Sequence, residues 1–242
     1  MSKGLAYYAL RDALPEPGCA VCRLKATAIE RYLSGLLWES VNDPGVRCKI
    51  RQAQGFCFMH AWELARGGAL LGIALLMRDV LQNALETLYE VYPQPLAAKP
   101  LRQAVRDLFY RRRPALGDEL EVRLTPRASC PACAQGEEME CIYLDILVGQ
   151  LLGKDSLLSA YEASDGLCLP HFRQAVARAR DEEVLNALVN AQRRIWERLI
   201  GQLSEFIRKN DYRFVCEPLG EESDAWLRAI ATVSGMRHES RQ

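Results

Sequence analysis

Residues 166–171 read Gly166-Leu167-Cys168-Leu169-Pro170-His171, and residues 55–60 read Gly55-Phe56-Cys57-Phe58-Met59-His60. Both stretches carry a Cys and a His three apart, and in both a glycine stands two positions before the Cys. The offset between them is 111 residues. At the same offset Cys19-Ala20-Val21-Cys22 matches Cys130-Pro131-Ala132-Cys133, and the gap from second to third Cys is 35 in both halves. Nine Cys and three His in 242 residues do not fall into this register by scatter, so the chain reads as an internal duplication. Tyr32 with Tyr143, Leu33 with Leu144, Leu36 with Leu147 and Leu85 with Trp196 hold the same register.

Between these landmarks almost everything has helical periodicity. Leu24, Ile29, Leu33, Leu36 and Leu37 predict a helix over 23–41, stopped by Asp43-Pro44-Gly45. A helix is expected over 58–91, broken at Gly67-Gly68, with Leu81, Leu85 and Leu88 on its buried face. Further helices are expected over 97–112, over 135–152, just after Asp155, and over 182–209. The last carries a stripe of Leu185, Leu188, Val189, Trp196, Leu199, Leu203 and Phe206. Leu120–Leu124 alternates weakly and reads as extended, but one short run makes no sheet. The fold class is therefore all-α: a helical bundle of two pseudo-repeats, packed about a pseudo-twofold axis.

The expected organisation is a first repeat over 1–95, a connecting helix and loop over 96–126, a second repeat over 127–210 and a tail over 211–242. The boundary between the halves is placed at the Pro-rich stretch from Pro93 to Pro100. The tail holds Phe214, Trp226 and Ile230, so it is expected to dock through Trp226, with Ser223 or Asp224 capping a helix. Residues 237–242 are expected to fray.

Three Cys and one His make a complete tetrahedral donor set for Zn(II). The expectation is two Zn(II) per chain, each held by the quartet of one repeat: Cys19, Cys22, Cys57 and His60, and Cys130, Cys133, Cys168 and His171. A CxxC opening a helix points two sulfurs at one centre, and a Cys and His at i and i+3 share a helix face. Each metal would clamp two helix starts. Four protein ligands leave no position for water or substrate, which favours a structural metal. An iron–sulfur cluster on the same ligands is the alternative, though such clusters mostly take four Cys. A dithiol redox role ranks third, because the βαβ setting of such motifs is missing. Cys48, Cys141 and Cys216 have no repeat partner and read as ordinary thiols.

The rest of the sequence narrows the function. Lys and Arg number 31 and Asp and Glu 31, a balance that argues against general nucleic-acid binding. The run Arg111-Arg112-Arg113, with Arg102 and Arg106, reads as a solvated helix end. Glu137, Glu138 and Glu140 read as complementing a helix N-terminus. The apolar stretch from Ala69 to Met77 is too short to span a bilayer. No basic-then-apolar leader opens the chain, so the expected compartment is the cytoplasm. No P-loop, GxGxxG, GxSxG or HExxH occurs, and the expectation leans away from an enzyme. A metal-dependent enzyme with one displaceable ligand is the remaining alternative. The preferred reading is an interaction or adaptor module for a protein partner.

The two quartets, with Asp211-Tyr212-Arg213-Phe214 and Ala225-Trp226-Leu227-Arg228-Ala229, make the chain resemble a family of uncharacterised prokaryotic proteins of unknown function with duplicated CxxC…GxCxxH units. The resemblance spans most of the chain and implies no activity, substrate or partner.

Overall fold

The structure, a computed structural model, describes residues 4–66, 68–91, 116–214 and 216–236. Among the described residues there are helices and no strands: α1 (Leu5–Ala13), α2 (Ala20–Gly35) continued by one π turn (Leu36–Ser40), α3 (Pro44–Gln52), α4 (Phe58–Arg66), α5 (Leu70–Val91), α6 (Leu116–Leu124), α7 (Pro131–Gly149), α8 (Leu158–Ala163), α9 (Leu169–Arg178), α10 (Glu182–Lys209) and α11 (Ala225–Ser234). The all-α expectation holds. The helix expected over 97–112, the basic run around Arg111–Arg113, His238 and the terminal residues 237–242 lie outside the described residues.

Local sequence explains the boundaries. Asp43 Oδ1 accepts the Val46 N–H at 2.8 Å, and Pro44 fills the first position of α3, where its missing donor costs nothing. Asp181 Oδ1 accepts from Glu183 N at 2.8 Å and Val184 N at 3.2 Å to open α10. Glu182 and Glu183 in its first turn and Arg208 and Lys209 in its last complement the helix dipole. The expected break between α4 and α5 is present, with Gly68 at φ +73°. Leu120–Leu124 is not extended as its alternation suggested. It is the end of α6, where Asp118 and Glu119 occupy the first turn and Arg123 pairs with Glu119 one turn back at 3.2 Å. Local helical pairing outweighs five residues of alternation.

The chain divides into two compact units, Met1–Glu30 with Gly136–Gln242, and Arg31–Gln135. The divisions fall inside α2 and α7. They differ from the sequence boundaries near 95 and 126, because the units follow packing and the repeats follow the duplication.

In the first unit Leu10 and Leu14 beside α7's Leu144 and Leu147, with Leu151, Leu157, Leu167 and Leu188, are fully buried around Tyr161. Each such side chain removed from water contributes about 1.5–3 kcal/mol. The helix α10 packs against α8, α9 and α11. The tail helix α11 packs on α9 and α10, with Ala225 as its buried residue, while Trp226, the expected anchor, is 46 % exposed.

The second unit buries Leu33, Leu36, Leu37, Ile50, Leu64 and Leu76. Its long helix α5 packs on α3, α4, α6 and the π turn. At Gly72 a Cβ would stand 3.3 Å from the Leu37 carbonyl oxygen, so glycine permits this close approach. Asp79 bonds Arg47 at 3.1 Å and Arg51 at 2.7 Å, tying α5 to α3. Leu81, Leu85 and Leu88 do not form the buried face of α5: Leu81 is 68 % exposed and the other two are exposed as well. Periodicity marks a face able to be covered, and the side of α5 that packs is the one holding Gly72 and Leu76.

Candidate metal centres

All eight repeated Cys and His fall into two tight groups, Cys19, Cys22, Cys168 and His171, and Cys57, His60, Cys130 and Cys133. In each group the four donor atoms lie within 4.8 Å of one another. The expected eight residues therefore converge, but not with the expected partners. Each CxxC joins the CxxH of the other repeat. Pairing within a repeat would close a loop of 35 residues, against a separation of 146 between Cys22 and Cys168. Loop-closure entropy grows only with the logarithm of length, so that difference is worth about 1 kcal/mol, and packing overrides it.

In the first centre Cys19 directly precedes α2 and Cys22 lies in its first turn. Cys168 caps α9, and His171 follows one turn inside it. Gly18, at φ +79°, donates its N–H to Asp165 Oδ2 at 2.7 Å, which joins the approach to the CxxC to the approach to the CxxH. Gly166 has φ +70°, and its backbone is pressed against the fully buried Gln192. Gln192 holds that turn by accepting the Leu167 N–H at 3.0 Å and donating to the Leu167 carbonyl at 3.2 Å. It also accepts the Tyr161 hydroxyl. His171 Nδ1 stands 3.4 Å from Cys19 Sγ, 3.4 Å from Cys22 Sγ and 3.1 Å from Cys168 Sγ. Cys22 and Cys168 sulfurs are 3.6 Å apart.

The second centre repeats this plan. Gln54 at φ +52° and Gly55 at φ +96° turn the chain out of α3, and Gly55 N donates to Ile50 O at 2.9 Å. Cys57 then precedes α4 and Cys130 precedes α7. Arg127 N donates to Gln52 O at 2.8 Å, again joining the two approach segments. His60 Nδ1 lies 3.2 Å from Cys57 Sγ, 3.3 Å from Cys133 Sγ and 3.6 Å from Cys130 Sγ. Cys57 and Cys133 sulfurs are 3.7 Å apart.

These distances fit a tetrahedral cation. Zn–S bonds of about 2.3 Å and Zn–N bonds of about 2.0–2.1 Å place sulfurs about 3.8 Å from one another and about 3.5 Å from the nitrogen. They do not fit disulfides, whose sulfurs are about 2.05 Å apart, and all nine Cys are free. The electrostatics point the same way. Hydrogen bonds from Cys168 and Cys22 hold the Cys19 thiol far below its ordinary range, while the same contacts push Cys168 far up. Desolvation, with Cys57 and Cys130 alongside, pushes Cys133 up to about 12. Such a cluster cannot shed all its protons unless a cation replaces them.

One residue beside the first centre has a role that its sequence neighbourhood hid. Glu140 is buried, not a solvated partner of the α7 dipole. Its Oε1 lies 3.5 Å from His171 Nε2, and it also bonds Lys25 and Gln174. The hydrogen bond to His171 leads the influences that hold its carboxyl down at about 2, against the opposing effect of desolvation. The available signal is periodicity: Glu140, Tyr143, Leu144, Leu147 and Leu151 share one stripe, and a charge on an apolar stripe needs a partner. The repeat adds a second observation. Lys25 meets Glu140, and their equivalents, Gly136 and Ile29, also meet: a Cβ at Gly136 would fall 2.8 Å from Ile29 Cδ1. One contact is ionic and its counterpart is apolar.

Cys48, Cys141 and Cys216 are exposed and belong to neither group. Among the described residues no helix is long and apolar enough to cross a membrane.

The chain belongs to a family of unknown function (DUF6062), whose model matches residues 1–240. It is also similar to an uncharacterized 23.9 kDa protein in the xynA 3′ region of Caldicellulosiruptor sp. (strain Rt8B.4), with 24 % identity over 222 residues, 91 % of this chain and 96 % of that one. No solved structure matches it significantly.

Proposed function

We propose that this member of the DUF6062 family binds two Zn(II) ions as structural clamps and serves as a non-enzymatic interaction module for a protein partner in the cytoplasm. The observation that carries the reading is the gathering of all eight repeated donors into two four-ligand sets at tetrahedral spacing. Three thiolates and an imidazole suit zinc, and a filled four-ligand shell leaves no open position for catalysis. Bound there, the metal would supply charge neutralisation for the thiolates and a cross-link between helix starts. Cys19 and Cys22 would hold the start of α2 to the start of α9 through Cys168 and His171. Cys130 and Cys133 would hold the start of α7 to that of α4 through Cys57 and His60.

The test is metal analysis of protein purified without added metal, read beside its visible spectrum. Two zinc per chain in a colourless sample is the expected outcome. Iron with sulfide and broad visible absorption would replace zinc by an iron–sulfur cluster. Turnover that tracks metal content and disappears with a quartet Cys→Ser change would replace the adaptor reading by a metal-dependent enzyme.

A further inference from the structure

We infer that the two centres are not equivalent: Cys19, Cys22, Cys168 and His171 hold a retained metal, whereas Cys57, His60, Cys130 and Cys133 hold an exchangeable one. The inference rests on the metal reading above and deepens it.

Solvent access differs first. In the first centre Cys168 is 1 %, Cys19 4 % and His171 6 % exposed, while all four ligands of the second centre are only half-buried. A competing chelator must reach the metal to carry it off, and the second set offers that approach at all four ligands, the first at Cys22 alone.

The first centre is also covered by the chain that follows α11. The backbone at Gly235, with φ +89°, lies against the sulfurs: a Cβ there would sit 3.8 Å from Cys22 Sγ and 4.0 Å from Cys168 Sγ. Met236 N–H then donates to Cys22 Sγ at 3.5 Å, and its thioether packs on Gly18. Bonds from N–H to a thiolate disperse its charge.

Glu140 is the positioning residue of the retained centre. It takes the Nε2 side of His171 while Nδ1 faces the sulfurs, an arrangement that fixes the tautomer and ring orientation of a metal-bound histidine. Lys25 and Gln174 hold the carboxylate in turn.

The experiment is release of metal from the full chain to a chromogenic chelator, followed in time. Two metals per chain leaving in two phases is expected. The slow phase should be the one retained in Cys133→Ser, and the fast phase the one retained in Cys22→Ser. Glu140→Gln, which keeps every ligand, should speed the slow phase about tenfold or more and leave the fast phase and the helix content by circular dichroism unchanged. Two metals leaving in a single phase, or an unchanged slow phase in Glu140→Gln, would overturn the inequivalence and leave the two-metal reading standing. Protein that binds no metal would remove both. If the Cys variants fail to fold, the Glu140→Gln comparison decides alone.

Discussion

At the scale of single residues, one glycine and one carboxylate carry more than their types suggest. Gly166 occupies a left-handed turn, and a methyl group there would press on Gln192 at 2.9 Å. Gly166→Ala should therefore lower stability by about 1–3 kcal/mol, measured by denaturant unfolding of metal-loaded protein. An equal midpoint would show that the turn relaxes freely. Asp79 offers a pH test away from the metal centres. Desolvation opposes its charge, but the hydrogen bonds from Arg47 and Arg51 prevail and hold its carboxyl below the usual carboxylate range. A lowered folded-state value means that the contribution is complete above about pH 4, the unfolded value, and is lost as pH falls further. Asp79→Asn should cost about 1 kcal/mol at pH 7 and nothing once the wild-type carboxyl is protonated. Unfolding of both proteins from pH 7 downward checks this, and a constant difference would refute it.

At the scale of elements, the helices were legible and their partners were not. The bounds of α10 follow from its apolar stripe, with Asp181 before it and Arg208 and Lys209 at its end. The equivalent stripe of α5 has the same period yet stays exposed at Leu81, because period describes a helix and burial describes what meets it. The exchange of ligands between repeats makes a sharp prediction. Cys19→Ser with Cys168→Ser damages one centre, so the pair should lose one metal and its stability effects should fall short of additive. Cys19→Ser with Cys57→Ser damages both centres and should lose both metals with additive effects. Metal analysis and unfolding of the two double variants decide, since pairing within each repeat demands the reverse.

At the scale of the whole molecule, the two compact units are nested in sequence, residues 31–135 lying between the two segments of the other. Each unit contains one complete quartet. Metal that binds only folded chain stabilises it by mass action, so under the proposed zinc reading each unit would carry its own dependence on metal. Stripping the protein with a strong chelator should lower its thermal midpoint and broaden the transition. Readdition of Zn(II) should restore both, and a midpoint indifferent to metal would sink the structural role.

The sequence by itself determined the helical class, the duplication and the eight Cys and His that converge, because periodicity, repeat offset and side-chain chemistry are local properties. The glycine that stands two positions before each CxxH Cys is a local mark of the turns that Gly55 and Gly166 make at positive φ. Only the tertiary structure decided which CxxC meets which CxxH, that Glu140 backs His171, and that the tail around Gly235 covers one centre. A duplicated motif is satisfied equally by pairing within or between its copies. The weak logarithmic cost of longer loops leaves the choice to packing, which no stretch of sequence contains alone.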